Sequence, residues 1–251
     1  MNQLNTVIFD VAGVLFKENK LKLLAKVGIW DTLYYVLAYR KNPLNTCFKA
    51  LTHISNSSDS DPKTIRLYYK ENKLPACITY WQKGEMSGNQ ILTTLNADID
   101  NLDKCHFFKS GYEKKLVKKL LRLYIDPLEC QNAFEPVAEL HSLVHTLKSK
   151  GYKLYILSNQ AEETFSMLES QHRNFFDSFD GISVSARAHM VKPDPAFYSQ
   201  LLNSYAIAPH QAIFIDDQVE NLLPAQSLGI KSIHFTNATA LKKDLANLNI
   251  L

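Results

Sequence analysis

Cysteine is scarce in this chain of 251 residues, and its four copies stand far apart in the sequence. No two of them form a C-x-x-C pair, and none meets a histidine at zinc-finger spacing; they are Cys47, Cys77, Cys105 and Cys130. The sequence therefore indicates neither a structural zinc site nor a compact disulfide framework. Reduced, mostly structural thiols are the expectation.

Long apolar runs and a strong excess of one charge are also missing. No apolar stretch approaches the ~20 residues that span a bilayer, and residues 1–5 lack the basic-then-apolar pattern of a signal peptide. The net charge is +3, and the densest basic cluster, Lys114–Lys119, is typical of a solvated helix face. We therefore expect a cytoplasmic protein without a membrane or nucleic-acid partner, as a monomer or a homodimer.

Short apolar runs alternate with helix-like segments from about residue 134 onward, which is the pattern of βαβ units around a parallel sheet. The candidate strands are Thr6–Phe9, Lys153–Leu157, Gly181–Ser185, Ala212–Ile215 and Lys231–Phe235. The candidate helices between and beside them are Pro136–Ser149, Asp194–Tyr205 and Asn221–Leu228. The sequence thus predicts an α/β core whose first strand lies far from the others along the chain.

The residues that follow the first strand have helical periodicity and few strand signals. The candidate helices in this part are Leu21–Val27, Trp30–Tyr39, Thr64–Asn72, Tyr80–Lys83 and Glu113–Tyr124. We therefore predict a core built from residues 1–16 and 133–251, interrupted by a helical insert of residues 17–132.

Carboxylates follow two of the predicted strands. Asp10 closes the run Val7-Ile8-Phe9, and Asp216 and Asp217 close the run Ile213-Phe214-Ile215. Parallel strands bring the residues at their carboxyl ends to one edge of the sheet. Asp10 and Asp217, next to Asp216, could bind Mg²⁺ through oxygen ligands, and a carboxylate nucleophile needs such a cation to approach a phosphate dianion. These clusters predict one metal and phosphate site.

Two further polar segments are expected at the same edge. Ser158 and Asn159 end the second strand, and Lys192 stands just before the helix that begins near Asp194. Ser158 and nearby backbone N–H groups could bind phosphate oxygens, and Lys192 offers them a fixed positive charge. Our candidate catalytic residues are Asp10, Ser158 and Lys192, and the candidate substrate contacts are Ser158, Asn159 and Lys192. For Asn221 we expect either a water-mediated contact with the metal or a hydrogen bond to the Asp217 region, or else a role as the N-cap of its helix.

The four segments, in this order and spacing, resemble the haloacid dehalogenase superfamily. Its motifs read here as Val-Ile-Phe-Asp10-Val-Ala-Gly-Val-Leu, Leu-Ser158-Asn159, Val-Lys192-Pro-Asp-Pro and Phe-Ile-Asp216-Asp217. The stretch Phe214 to Gly229 is similar to the branch that contains sugar-phosphate phosphatases and the N-terminal phosphatase domain of soluble epoxide hydrolases. The resemblance covers residues 1–16 and about 134–236.

The resemblance implies a Rossmann-like, doubly wound parallel sheet with an inserted α-helical cap domain. It implies that Asp10 is a nucleophile that forms an aspartyl-phosphate, which water then hydrolyses. It also implies Mg²⁺ bound by Asp10, Asp217 and the backbone carbonyl of Ala12, with Asp216 beside them. A cap closes over the substrate and selects the leaving group, so residues 17–132 are expected to determine specificity.

Ala12 is a departure from the family pattern, which has a second Asp at this position as general acid and base. Alanine transfers no proton, and such assistance is worth roughly 10²–10⁴ in rate. Three alternatives stay open: a leaving group that needs little protonation, an acid from the insert such as His53, Asp59, Asp61 or Glu85, or different chemistry at Asp10. Phosphonate hydrolysis, with a Schiff base at Lys49 near His53, and dehalogenation belong to the third.

The sequence thus predicts a Mg²⁺-dependent phosphatase that hydrolyses a small phosphorylated metabolite, such as a sugar phosphate, through an aspartyl-phosphate at Asp10. The rival hypothesis is a catalytically weak or silent member that binds a phosphorylated ligand or a protein partner, because Ala12 removes the proton-transfer group.

Overall fold

The computed structural model describes residues 4–58, 65–69 and 72–251. The chain forms two compact units: a core unit of Met1–Glu18 with Phe134–Leu251, and a helical unit of Asn19–Ala133. The first junction falls two residues later than the boundary predicted at residue 16, because Lys17 and Glu18 belong to a strand of the core unit. No helix of the described residues has both the length and the apolar character that crossing a bilayer requires.

The core unit begins with strand β1 (Thr6–Phe9) and strand β2 (Phe16–Glu18). The chain then enters the helical unit, whose described elements are α1 (Lys20–Val27), α2 (Ile29–Tyr39), α3 (Pro43–Ser58), β3 (Tyr68–Tyr69), β4 (Asn72–Lys73), α4 (Ala76–Gln82), α5 (Gly88–Lys104), α6 (Gly111–Ile125) and α7 (Pro127–Asn132).

The helix predicted at Thr64–Asn72 is wrong in its described part. Tyr68–Tyr69 and Asn72–Lys73 pair instead as short antiparallel strands. Aromatic residues favour extended backbone, and a short segment that buries no continuous apolar face does not repay the cost of helix nucleation. Thr64 itself lies outside the described residues.

The core unit resumes after α7 and alternates strands with helices. Its elements are β5 (Phe134–Pro136), α8 (Ala138–Ser149), β6 (Lys153–Ser158), α9 (Glu162–Gln171), α10 (Arg173–Phe176), β7 (Gly181–Val184), α11 (Ser185–Ala188), α12 (Pro195–Ser204), β8 (Ala212–Asp216), α13 (Val219–Ser227), β9 (Lys231–His234) and α14 (Ala238–Asn247). Strands β2 and β5 pair antiparallel where the chain leaves and re-enters the core.

The main sheet has five parallel strands in the order β7-β6-β1-β8-β9. Strand β1 therefore lies at the centre, with Phe9 level with Ile156 of β6 and Ile215 of β8. Strands β6 and β7 extend the sheet on one side of β1, and the later strands β8 and β9 extend it on the other. Such a change of side is the switch point where open α/β sheets bind their ligands.

Both faces of the sheet are covered, and the strand residues alternate between two apolar clusters. Val7 and Phe9 lie in one cluster, which includes residues of α8, α9 and α14. Ile8 lies in the other, with residues of α12 and α13. Strands buried on both faces read as continuous apolar runs, which is why β1, β6 and β8 are prominent in the sequence. The predicted Rossmann-like, doubly wound α/β core is confirmed.

One stability prediction concerns the edge strand β7. A Cβ added to Gly181 would clash with Cζ of Tyr205, whose hydroxyl oxygen accepts a hydrogen bond from the Ile182 N–H at 3.2 Å. We expect Gly181→Ala to lower the free energy of unfolding of the core unit by about 1–3 kcal/mol through overpacking. Urea unfolding measures the loss.

The double variant Gly181→Ala/Tyr205→Ala is the control, because it removes the ring that the new methyl group meets. The Gly181 substitution should cost clearly less in that background, so that the two changes are not additive. Equal costs in both backgrounds would contradict the proposed clash.

Candidate active site

Three strand ends of the sheet bring the predicted site residues together. Asp10 follows β1 directly, and its backbone N–H donates to the carbonyl of Ile215 at 2.9 Å. Ser158 is the last residue of β6, and Asp216 is the last residue of β8. Because β1 lies between β6 and β8, these residues share the carboxyl edge of the central strands.

Lys192 lies at the centre of this cluster, and only 1% of its surface is exposed. Its Nζ donates to Asp10 Oδ1 at 2.8 Å and to Asp216 Oδ2 at 2.6 Å. The ammonium also lies 5.4 Å from the centre of the Phe214 ring. A buried charge is tolerated only when it is paired, and here one lysine bridges two buried carboxylates.

Asn159 fixes the backbone of Lys192. Its side-chain oxygen accepts from the Lys192 N–H, and its side-chain nitrogen donates to the Lys192 carbonyl, both at 2.8 Å. Both polar atoms of the Asn159 side chain are therefore bonded to the Lys192 backbone and hold it in position. The sequence predicted Asn159 as a substrate contact and did not show this positioning role, which depends on a residue 33 positions away.

Asp216 is the most fully bonded carboxylate of the group. Besides Lys192, it accepts from the Gln218 N–H at 2.8 Å and from Asn221 Nδ2 at 3.0 and 3.1 Å. Asn221 is thus bonded to Asp216 rather than acting as the helix N-cap, which is Gln218. The backbone carbonyl of Asn221 in turn accepts from the Tyr198 hydroxyl at 2.7 Å.

Asp217 differs from its neighbour, because its Oδ1 is buried and has no hydrogen-bond partner among the described residues. Oxygens of Asp10, Asp216 and Asp217 all lie within 4.8 Å of one another. With all three carboxylates ionised, Lys192 leaves two negative charges uncompensated. A buried, unpartnered carboxylate oxygen beside two other carboxylates suits a divalent cation that prefers oxygen ligands. The donor set therefore fits Mg²⁺.

Proton affinities in the site reflect the same crowding. Burial, reinforced by Asp216 and Asp217 and opposed by Lys192, raises the pKa of Asp10 to about 7. Burial and the neighbouring Asp216 raise the pKa of Asp217 to about 6. Burial alone would lower the pKa of Lys192, but Asp10 and Asp216 outweigh it and the net shift is upward, so the ammonium form is favoured.

Ser158 is fully buried at the end of β6, and its hydroxyl has no hydrogen-bond partner among the described residues. A buried hydroxyl without a partner costs free energy unless a ligand or water satisfies it. Its position next to Asn159, at the sheet edge that carries Asp10, is compatible with a contact to an anionic ligand.

The turn after Asp10 carries Ala12 and Gly13. The Phe16 N–H donates to the Val11 carbonyl at 2.9 Å, and the Gly13 N–H donates to the Phe16 carbonyl at 2.7 Å, so the Ala12 carbonyl takes no part in these two bonds. Gly13 adopts a φ of +91°, and a Cβ there would lie 2.5 Å from Asp217 Oδ2. Gly13 is a site residue that the sequence analysis missed.

The candidate replacement acids, and the lysine considered for a Schiff base, all fall in the helical insert. Asp59 and Asp61 lie outside the described residues. Lys49 and His53 lie on the exposed side of α3, where they line a cavity of about 800 Å³ within the helical unit. Glu85 follows α4 and pairs with Lys83 at 2.6 Å.

Comparison with known proteins identifies the family. The family model of haloacid dehalogenase-like hydrolases matches residues 74–235, well over half of the chain. The chain therefore belongs to the haloacid dehalogenase-like hydrolase family, which confirms the resemblance seen in its motifs.

Individual relatives cover smaller parts. The sesquiterpene phosphatase astK of Aspergillus oryzae is 35% identical over 113 residues, which are 45% of this chain and 57% of that protein. Bifunctional epoxide hydrolase 2 of Sus scrofa is 32% identical over 91 residues, 35% of this chain and 16% of that protein. The chain thus aligns with little more than half the length of the first relative and a small part of the second.

A solved structure of the same fold comes from Bacteroides thetaiotaomicron. This HAD family enzyme, in complex with magnesium and inorganic phosphate, aligns with a TM-score of 0.55 and 16% sequence identity over 93% of this chain and 94% of its own. At this level of identity the likeness shows the shared fold.

The fit of Gly13 against Asp217 gives a prediction for metal binding. We expect Gly13→Ala to displace the Asp217 carboxylate and to weaken Mg²⁺ affinity by about 10- to 100-fold, as changes next to metal ligands commonly do. Titration of Mg²⁺ by calorimetry measures the change.

Gly151→Ala is the matched control, because Gly151 has a similar φ of +87° and a new Cβ would meet nothing within 4 Å. Both variants should lose stability through backbone strain, but only Gly13→Ala should lose Mg²⁺ affinity. An equal loss of affinity in the two variants would refute the steric explanation.

Proposed function

We propose that this protein is a Mg²⁺-dependent phosphatase that hydrolyses a small phosphorylated metabolite through an aspartyl-phosphate at Asp10. The observation that supports it most is the bonding of Lys192 to Asp10 and Asp216, at 2.8 and 2.6 Å, beside the unpartnered Asp217 oxygen. This arrangement combines a carboxylate nucleophile, a fixed cation and a metal-ligand set. The phosphatase named among the relatives agrees with it.

Each residue then has one task. Asp10, Asp217 and the Ala12 carbonyl would hold the metal, which supplies charge neutralisation for the phosphoryl group. Lys192 and the Ser158 hydroxyl would bind phosphate oxygens, and Asn159 would hold the Lys192 backbone in place. We assign Asp216 to positioning Lys192, although its oxygens lie within reach of a metal, because protein donors already occupy both of them.

The reaction has two displacements at phosphorus. A carboxylate oxygen of Asp10 forms a bond to phosphorus while the bond from phosphorus to the leaving oxygen breaks. A water molecule then attacks the same phosphorus and gives up a proton to the solvent, from which the departed leaving oxygen takes one. The bond to Asp10 breaks, and inorganic phosphate leaves as the carboxylate is restored. Ionised Asp10 is required for the first step. Lys192 favours this form, against the burial and the neighbouring carboxylates that raise the pKa of Asp10 to about 7.

Ala12 determines what kind of substrate suits this site. Because no acid stands at position 12, the leaving oxygen must depart with little help from a proton. Substrates with stable leaving groups, such as sugar-1-phosphates, fulfil this condition.

A second candidate function is a binding module without turnover, and it is supported by the same residue, Ala12. Dehalogenation needs no metal and leaves the Asp217 oxygen unexplained.

Phosphate release is the test of this function. The intact protein would be assayed against sugar, nucleotide and small organic phosphates with Mg²⁺, beside Asp10→Asn and a chelated sample. We expect turnover of some substrates, lost in both comparisons, because one lacks the nucleophile and the other the metal. A folded protein that releases phosphate from no substrate would reject the phosphatase and favour the binding module.

Ala12→Asp should restore the missing proton transfer. We expect it to raise turnover of phosphates with poor leaving groups, such as simple alkyl phosphates, by up to about 10²-fold, while aryl phosphates with good leaving groups change little. Ala12→Asn is the control, since it has the same shape without the acid. Equal effects of Asp and Asn on alkyl phosphates would show that position 12 acts through something other than proton transfer.

A further inference from the structure

Helix α2 of the helical unit has a side on which apolar side chains are exposed. Trp30 is 81% exposed and Leu37 is 68% exposed. The exposed large apolar residues of this helix are Ile29, Trp30, Leu33, Tyr34, Val36 and Leu37. Together with Leu21 of α1 they make seven of the eleven exposed large apolar side chains found in the described residues.

Only a narrow stripe of α2 packs against the rest of the helical unit. Tyr35 is buried, and its hydroxyl donates to Glu113 at 2.6 Å and bonds to Thr46 at 2.8 Å. Tyr39 bonds to Ser110 at 2.6 Å. A surface helix normally presents polar residues on its other side, but α2 is apolar there too. A clustered apolar surface of this kind indicates a partner.

Positive charge accompanies the apolar residues. The segment from Lys20 to Lys41 carries five cations and one acid, Asp31; the cations are Lys20, Lys22, Lys26, Arg40 and Lys41. Lys26 pairs with Glu129 at 2.9 Å and Lys41 with Glu113 at 3.3 Å, and the formal charge of the segment is positive even without these two. Two copies of such a surface would repel each other, so the charge favours an anionic partner over a second copy.

A groove beside α2 combines both properties. Its volume is about 620 Å³, and it is lined by the apolar Leu24, Val36 and Leu37 and by the cations Arg40 and Lys41. An apolar wall that ends in two cations complements a molecule with an apolar chain and an anionic head group. Anionic phospholipids have this chemistry.

We propose that the α1–α2 surface, residues Lys20–Lys41, docks on the surface of a membrane that contains anionic phospholipid. The 11 residues of α2 extend over about 16 Å, too short to span a bilayer but suited to lying in its interface. Trp30 and Tyr34 are of the type that prefers the head-group region, and the cations attract the anionic lipids. The absence of a membrane partner, expected from the sequence, is revised by this proposal.

Vesicle binding tests the proposal on the intact protein. Cosedimentation would be compared between vesicles of phosphatidylcholine alone and vesicles of phosphatidylcholine with phosphatidylglycerol. We expect binding to the anionic vesicles, weakened by salt, and a blue shift of Trp30 fluorescence as the indole leaves water. Trp30→Phe should lose the shift but keep most of the binding, because phenylalanine stays apolar.

Two pairs of variants separate the contributions. Trp30→Ser/Leu37→Ser should lower vesicle affinity by more than about tenfold, whereas Leu128→Ser/Leu223→Ser, which changes exposed leucines elsewhere, should not. Lys20→Gln/Arg40→Asn should lower it by about fivefold per charge, and Lys109→Gln/Lys115→Gln should have a smaller effect. Asparagine is chosen because position 40 has a φ of +50°.

The proposal is overturned if the wild type binds no anionic vesicles, or if the Trp30/Leu37 variant binds as well as the wild type. It is also overturned if sedimentation equilibrium shows a dimer that the Trp30/Leu37 variant abolishes while vesicles are not bound. In that case a second copy covers the surface. Circular dichroism confirms that each variant is folded.

Discussion

The bridge from Lys192 to Asp10 and Asp216 is the interaction on which the core unit's site depends. Lys192, Asp10 and Asp216 are all buried, and the two hydrogen bonds from the lysine ammonium give each carboxylate an opposite charge at contact distance. Removing one partner would leave a buried charge without compensation, a change that typically costs about 3–5 kcal/mol. Asn159 on one side, and Gln218 and Asn221 on the other, hold this bridge in its geometry.

This constraint explains why distant parts of the sequence must meet. Lys192 and Asp10 are 182 positions apart, yet both must reach the carboxyl edge of β1 and β8. The parallel sheet meets this need, because each strand delivers its last residue to the same edge and the apolar clusters on both faces fix the register. The fold and the charge arrangement thus support each other.

The sequence predicted the parts of the structure that repeat a pattern. The apolar runs before Asp10 and Asp216 identified strands, and their acidic ends identified the edge where the candidate site lies. The exchange of bonds between Asn159 and the Lys192 backbone, and the closeness of Gly13 to Asp217, involve residues far apart in the chain and leave no local pattern. The helix predicted over Tyr68–Tyr69 and Asn72–Lys73 is wrong, since helical periodicity over so few residues is weak evidence and these residues pair as short strands.

The core unit and the helical unit carry charges of opposite sign in different surroundings. In the core, acidic groups are gathered in a buried place, where Lys192 and a divalent cation would balance them. In the helical unit, cations lie beside apolar residues, and six apolar side chains of α2 remain exposed in the described part of the chain. Burying apolar area in contact with a partner is favourable, and large exposed apolar patches usually mark interaction sites. The exposed apolar residues of α2 therefore indicate that a partner covers them. The same argument therefore applies to both units. The uncompensated carboxylates of the core unit call for a cation at Asp217, and the exposed apolar and cationic residues around α2 call for a partner that is apolar and anionic.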